Sequence, residues 1–103
     1  MKWRVIFRPE VEIDVAEAAE WYESREFGLG VEFVGEVIKV WDALEMNPYL
    51  NSRRHPKKEI RWRYPERFPY RVIYEVIEAQ QTVVVLAVLH AARHDHHWIR
   101  RVD

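Results

Sequence analysis

Residues 59–90 read EIRWRYPERFPYRVIYEVIEAQQTVVVLAVLH, and their patterning decides the fold. In Glu59–Tyr64, the residues Ile60, Trp62 and Tyr64 alternate with Glu59, Arg61 and Arg63, the period of two that a strand requires. Pro65 and Pro69 punctuate a turn. Tyr70–Ile77 alternates again, with Tyr70, Val72, Tyr74 and Val76 on one face and Arg71, Ile73, Glu75 and Ile77 on the other. Glu78–Gln81 is a polar connector short enough for a hairpin. Thr82–Leu89 then runs apolar without a polar break. A strand apolar on both faces belongs near the centre of a sheet.

Working outward, Trp3–Phe7 reads as a further strand, with Trp3, Val5 and Phe7 on one face and Arg4 and Arg8 flanking Ile6 on the other. Pro9 fits a first helical turn, where a missing N–H costs nothing, and Glu10 and Glu12 favour a helix N-terminus. Val11, Val15, Ala18 and Tyr22 recur at helical spacing, supported by Ala19 and Trp21, so this helix should end before Gly28. Gly28-Leu29-Gly30 suits a helix–helix turn. A second helix spans about Val31 to Glu45 on the stripe Val34, Val37, Ile38, Trp41 and Leu44, widened by Phe33 and Val40. Asn47-Pro48 stops it. Neither helix buries its stripe alone. An antiparallel hairpin on one sheet face satisfies both, giving an α+β fold of order β-α-α-β-β-β. Tyr49–Lys58 reads as a loop with at most a short extended piece. The tail from Ala91 returns to the body through Trp98.

The 103 residues support one domain with one core, residues 1–103, and the 49 % hydrophobic content fits a folded globule. Without cysteine there is no disulfide and no thiolate metal site. The N-terminal apolar run is too short for a signal sequence and nothing approaches a membrane span, so a cytoplasmic location is expected. The net charge of −1 hides an asymmetry. Residues 1–50 hold five Lys/Arg against eleven Asp/Glu, and residues 51–103 hold eleven against six. The basic residues crowd Arg53–Arg71, and a patch of this kind binds polyanions whatever the total charge. Mutual neutralisation of acidic helices and basic strands is the simpler account of the same numbers.

Three groups of side chains have chemical potential. Arg61 and Arg63 share a strand face, with Arg71 beyond the turn. Guanidinium groups fixed on strands hold a phosphate bidentately, although they transfer protons poorly. A solvated face paired with Glu59 and Glu75 is the alternative. The second group runs from His90 to Trp98. His90 ends a strand, and with Arg93 and Arg61 it would supply a proton-transfer group and a phosphate clamp for RNA cleavage. A hydrogen bond that pins the tail is its alternative. In the third, His94, Asp95, His96 and His97 have the donor types for zinc, but adjacent positions on a short loop converge poorly on one ion. No metal or other cofactor is expected. No HExxH, P-loop, GxGxxG or GxSxG pattern occurs.

Several pieces in order carry a family resemblance: Phe7-Arg8-Pro9-Glu10 leading to Ala18-Ala19-Glu20-Trp21-Tyr22, Gly28-Leu29-Gly30 with Phe33, and Asn47-Pro48 and Arg61. They continue with Phe68-Pro69-Tyr70-Arg71-Val72-Ile73-Tyr74 and with Val88-Leu89-His90 followed by Arg93 and Trp98. The chain resembles the RelE/ParE superfamily of type II toxins, in its ParE-like, plasmid-stabilisation branch. The resemblance implies the same β-α-α-β-β-β order and a cognate antitoxin, an acidic partner suited to Arg53–Arg71. For the ParE-like branch it implies inhibition of DNA gyrase by protein binding, with no catalytic site. For the RelE-like alternative it implies cleavage of ribosome-bound mRNA, with Arg61, Arg71, His90 and Arg93 as the catalytic set. A non-toxic binding module of the same fold is the third possibility. The usual family ending is similar to His-x-x-Arg-x-Pro-x-x-Trp. Here Asp95 stands for the proline, His97 stands where tyrosine is frequent, and no tyrosine follows Leu89.

Overall fold

A computed structural model describes residues 2–102. Its elements are β1 (Arg4–Phe7), α1 (Pro9–Arg25), α2 (Leu29–Met46), β2 (Arg53–Arg54), β3 (Ile60–Arg63), β4 (Tyr70–Ile77), a 3-10 turn (Glu78–Gln80), β5 (Thr82–His90) and α3 (His96–Ile99). The five strands form one sheet in the order β1-β5-β4-β3-β2. β1 runs parallel to β5 and every other pair is antiparallel. This is the α+β arrangement read from the sequence, with the short extended piece before β3 realised as β2. β5 lies inside the sheet between β1 and β4, as its continuous apolar run demands.

The helical hairpin covers one face. Val11 and Ala18 of α1 and Phe33, Val37, Val40 and Leu44 of α2 pack on Val72, Tyr74, Val83, Val85 and Val88. The deeply buried row of α2 is thus Phe33, Val37, Val40 and Leu44, while Val34 and Trp41 are only partly buried and Ile38 is exposed. The helix has more apolar side chains than one contact face can cover. Gly28 turns the chain at φ 87°, in the left-handed region that glycine enters without strain. Both carboxylate oxygens of Glu23 accept hydrogen bonds there, from Gly28 N–H at 2.8 Å and from Gly30 N–H at 3.0 Å, satisfying donors at the start of α2.

The helices are in close contact at Gly30, where a Cβ would lie 2.5 Å from the Ala19 carbonyl oxygen. Gly30→Ala should therefore cost about 1–3 kcal/mol through steric displacement of the hairpin. Gly35 has nothing within 4 Å of such a Cβ. Gly35→Ala should instead stabilise the helix by about 0.5–1 kcal/mol. Urea denaturation of the two variants measures the contrast, and equal effects would contradict the packing.

The opposite face carries a second cluster, in which Ile60, Ile73, Leu86, Ala87 and Leu89 are covered by Trp98, with Ile99 and Val102 beside them. A β-bulge makes this arrangement possible. Ile73 pairs with Ala87 but Tyr74 pairs with Val85, so Leu86 has no partner in the register. Leu86 and Ala87 both serve the second cluster, and the alternation then restarts with Val88 on the hairpin side.

The basic residues of the strands, which the sequence crowds into one segment, are divided between the two faces of the sheet. Arg61 pairs with Tyr74 and Arg63 with Val72, so both share the hairpin side, whereas Arg71 lies with Ile73 on the other. The face opposite the helices is apolar under Trp98, not a charged surface, because β3 enters the sheet with Ile60 and Trp62 turned that way.

Candidate functional site

A cleft of about 420 Å³ lies between α1, the start of β4 and the end of β5. Trp21, Tyr70, His90 and Arg93 line it, and Glu10, Asp14, Glu17 and Arg101 form its charged wall. The bulge of β5 explains its position. By unbroken alternation from Val83, His90 would face away from the helices. After the bulge it stacks edge-on against Tyr70 on the hairpin side, with ring centroids 5.3 Å apart.

β1 ends opposite Val85, so β5 continues beyond it without a neighbour on that side. Side chains take the place of the strand. The Asp14 carboxylate accepts the Val88 N–H at 3.0 Å, and Arg101 donates to the Leu86 carbonyl at 3.0 Å. The two side chains also bind each other bidentately, at 2.7 and 3.1 Å. Their hydrogen bond, against an opposing cost of burial, raises the Arg101 pKa above its ordinary value. One ion pair therefore ties α1, the bulge and the tail together and forms the inner end of the cleft. No local motif marks Asp14 and Arg101, which lie 87 positions apart. Only their types, an acid on an amphipathic helix and a base in the tail, were visible.

His90 Nδ1 accepts the Ala92 N–H at 3.0 Å, so the neutral ring carries its proton on Nε2. In that tautomer the ring offers a donor at Nε2. Arg93 is exposed and its Nη2 lies 3.2 Å from His97 Nδ1. Burial pushes the Tyr70 hydroxyl pKa up, and the charge of Arg93 partly offsets this. His90 and Arg93 thus share one cleft.

Arg71 lies elsewhere. It is buried on the opposite face, where it donates to Asp95 Oδ1 at 2.9 Å and to the Arg93 carbonyl at 3.1 Å, over the ring of Trp62. Trp98 Nε1 donates to the same Asp95 oxygen at 3.2 Å, and His55 stands edge-on to Trp98. Arg61 is on the hairpin side, donating to Ser52 Oγ at 3.0 Å and lying over the Tyr49 ring. The structure therefore brings together His90 and Arg93, and sets Arg61 and Arg71 apart on opposite faces of the sheet.

Burial raises the Asp95 pKa, but hydrogen bonds from Arg71 and Trp98 and the charges of Arg71 and His55 outweigh it, so the net shift is downward. A carboxylate with a depressed folded-state pKa stabilises the fold above its unfolded value, about 3.9, and that contribution is lost as pH falls through the lower folded value. Acid titration should therefore loosen the tail only below about pH 4. Near-ultraviolet circular dichroism reads this, and Asp95→Asn should remove that part of the pH dependence.

Among the described residues no three His, Asp or Glu side chains are arranged to hold a metal ion. His94 Nδ1 and His96 Nδ1 lie 3.0 Å apart and His96 stacks on His97, while Asp95 is committed to Arg71 and Trp98. Among the same residues no helix is long and apolar enough to cross a membrane.

The family model described as the ParE toxin of type II toxin–antitoxin system, parDE, matches residues 5–95. The chain belongs to this ParE toxin family. Membership places it among the toxins of the RelE/ParE superfamily, in the branch expected from the sequence. The match stops at Asp95, so α3 and its Trp98 lie beyond it. No curated protein matches this ParE-family chain.

Three solved structures share its fold. The chromosomal ParDE system of P. aeruginosa is 13 % identical with a TM-score of 0.72, over 85 % of this chain and 95 % of that one. The free-state structure of an arginine double mutant of the E. coli toxin RelE is 15 % identical with a TM-score of 0.68, and all of both chains is covered. The Mycobacterium tuberculosis toxin–antitoxin complex RelBE2 is 18 % identical with a TM-score of 0.63, over 87 % of this chain and 99 % of that one. Both RelE-like and ParE-like proteins thus have this architecture, and the fold does not distinguish their activities.

Proposed function

We propose that this ParE-family toxin acts by binding a protein, DNA gyrase, and that a cognate antitoxin holds it inactive in the cytoplasm. The observation that carries the reading is the ParE family match over residues 5–95. The disposition of charge supports it. A site that cleaves RNA gathers cations around one phosphate. Here Arg61 and Arg71 occupy opposite faces, Arg101 is neutralised by Asp14, and Glu10 and Glu17 stand in the wall of the cleft. An antitoxin partner is supported by the relatives of the same fold solved as toxin–antitoxin complexes.

One observation favours the second reading, a RelE-like ribosome-dependent endoribonuclease. His90, Arg93 and Tyr70 line a single cleft. Of the four residues assigned to that activity, His90 and Arg93 would meet substrate there, and Arg61 and Arg71 would act from outside it.

The test is expression of the chain alone, followed by gyrase supercoiling assays and mapping of mRNA ends on translating ribosomes. Inhibited supercoiling with intact mRNA is expected, unchanged by His90→Ala. Fragmented mRNA with normal supercoiling, abolished by Arg61→Ala or His90→Ala, would replace the gyrase reading by the RNase one. Harmless expression would mark a non-toxic binding module.

A further inference from the structure

Two histidines of the tail have no part in either functional reading. His96 opens α3 and His94 stands two positions before it, so the pair flanks Asp95 at the helix N-cap. Both side chains are exposed, and their Nδ1 atoms lie 3.0 Å apart. His94 Nδ1 also accepts the His96 N–H at 3.1 Å. It is therefore the acceptor of the pair, and His96 Nδ1 carries the proton between them.

That separation is also the bite of a chelate. An ion about 2.0 Å from each nitrogen, 3.0 Å apart, would subtend an angle of about 97°. This is close to the right angle of the square-planar or tetragonal sites that copper(II) and nickel(II) favour, and imidazole is a ligand that suits both. Among the described residues no third His, Asp or Glu completes a metal-binding group, so water would fill the remaining positions. The neighbours are engaged elsewhere. His97 Nδ1 faces Arg93 Nη2 at 3.2 Å, and Asp95 is bound by Arg71 and Trp98. Arg93 and Arg100 are exposed, where water and salt screen their repulsion of an incoming cation.

We propose that His94 and His96 chelate one divalent late-transition ion, copper(II) or nickel(II), and that the ion fastens the turn around Asp95. The ion takes the place of the shared proton, and His96 then carries its proton on Nε2. The His96 N–H, at the start of α3, has no acceptor within the helix and turns to water. The closed ring encloses Asp95, which holds Arg71 and Trp98, so the bound ion restrains the segment that covers the second cluster. The site is separate from the cleft of His90 and Arg93, and the inference holds whichever cellular target the toxin has.

The test uses the untagged full chain with copper(II) chloride and nickel(II) chloride as probes. Isothermal titration calorimetry should show one ion per chain, copper bound more tightly than nickel. Electron paramagnetic resonance of the copper form should show two imidazole nitrogens. His94→Ala and His96→Ala should each weaken binding about tenfold or more, because a single ring cannot chelate. His97→Ala should change it by less than about twofold. Metal at about 100 times its Kd should raise Tm by at least about 3 °C in the parent chain and in neither of the first two variants. Circular dichroism confirms that the variants are folded. Binding unmoved by His94→Ala or His96→Ala would mean an adventitious ion only and overturn the proposal. So would an equal loss in His97→Ala, which marks a diffuse attraction to the histidines, or a Tm indifferent to the bound ion, which leaves the turn unfastened.

Discussion

Trp98→Ala is expected to destabilise the protein by about 3–5 kcal/mol, the cost of emptying a large aromatic site in a core. Trp98 has no exposed surface and covers the whole second cluster, Ile60, Ile73, Leu86, Ala87 and Leu89. It sits on a helix of four residues, His96–Ile99, too short to hold itself in place, so without the indole little keeps the tail docked over the second cluster. Truncation also removes the donor to Asp95 Oδ1 and so weakens the anchor of Arg71. A fall in Tm of more than about 10 °C should accompany the loss. Trp98→Phe keeps most of the packing and loses the ring N–H, and should cost about 1–2 kcal/mol. Far-ultraviolet circular dichroism during urea denaturation measures both. A change below about 1 kcal/mol for Trp98→Ala would mean that the tail is dispensable and the second cluster stable without it.

The second large effect is expected at the ion pair between α1 and the tail. Asp14→Ala leaves the Arg101 guanidinium without its carboxylate and the Val88 N–H without its acceptor. Arg101→Ala leaves a carboxylate with only 8 % of its side chain exposed and the Leu86 carbonyl without its donor. Each should cost about 2–4 kcal/mol, because an uncompensated charge and an unsatisfied backbone group remain at the bulge. The double variant should cost less than the sum of the singles by about 1–3 kcal/mol, since the second removal relieves the stranded charge. Asp14→Asn retains an acceptor for Val88 and should be milder than Asp14→Ala. Added salt should alter these differences little, because the pair is sheltered from solvent. Additive effects, or losses that vanish at high salt, would show that the pair behaves as an ordinary surface contact.

The two predictions concern the same object seen from two sides. The bulge at Leu86 gives the second cluster an extra residue and also releases backbone groups that Asp14 and Arg101 take up. It also places His90 beside Tyr70 in the cleft. The chemical character of that cleft thus depends on residues in α1 and the tail, Asp14 and Arg101, as well as on the strand ends that carry His90 and Tyr70.

Much of this molecule was determined by the sequence alone. The alternation in 60–63 and 70–77, the unbroken apolar run of β5, the helical stripes of α1 and α2, and the glycine at their turn are short-range patterns. Each was sufficient for its element, because backbone period and conformational freedom are local properties. Their order also sufficed for the family. The buried row of α2 was less legible. Its apolar residues cover more than one face, and only the position of the sheet selected Phe33, Val37, Val40 and Leu44 over Val34, Ile38 and Trp41. The tertiary structure decided the candidate site as well. Strand facing is counted one residue at a time, so a single unpaired Leu86 reverses every side chain beyond it, and no local preference announces such a residue. The partition of Arg61 from Arg71 and the meeting of Asp14 with Arg101 arise in the same way, from which strands lie together and where β1 stops, contacts that exist only once the sheet has closed around them.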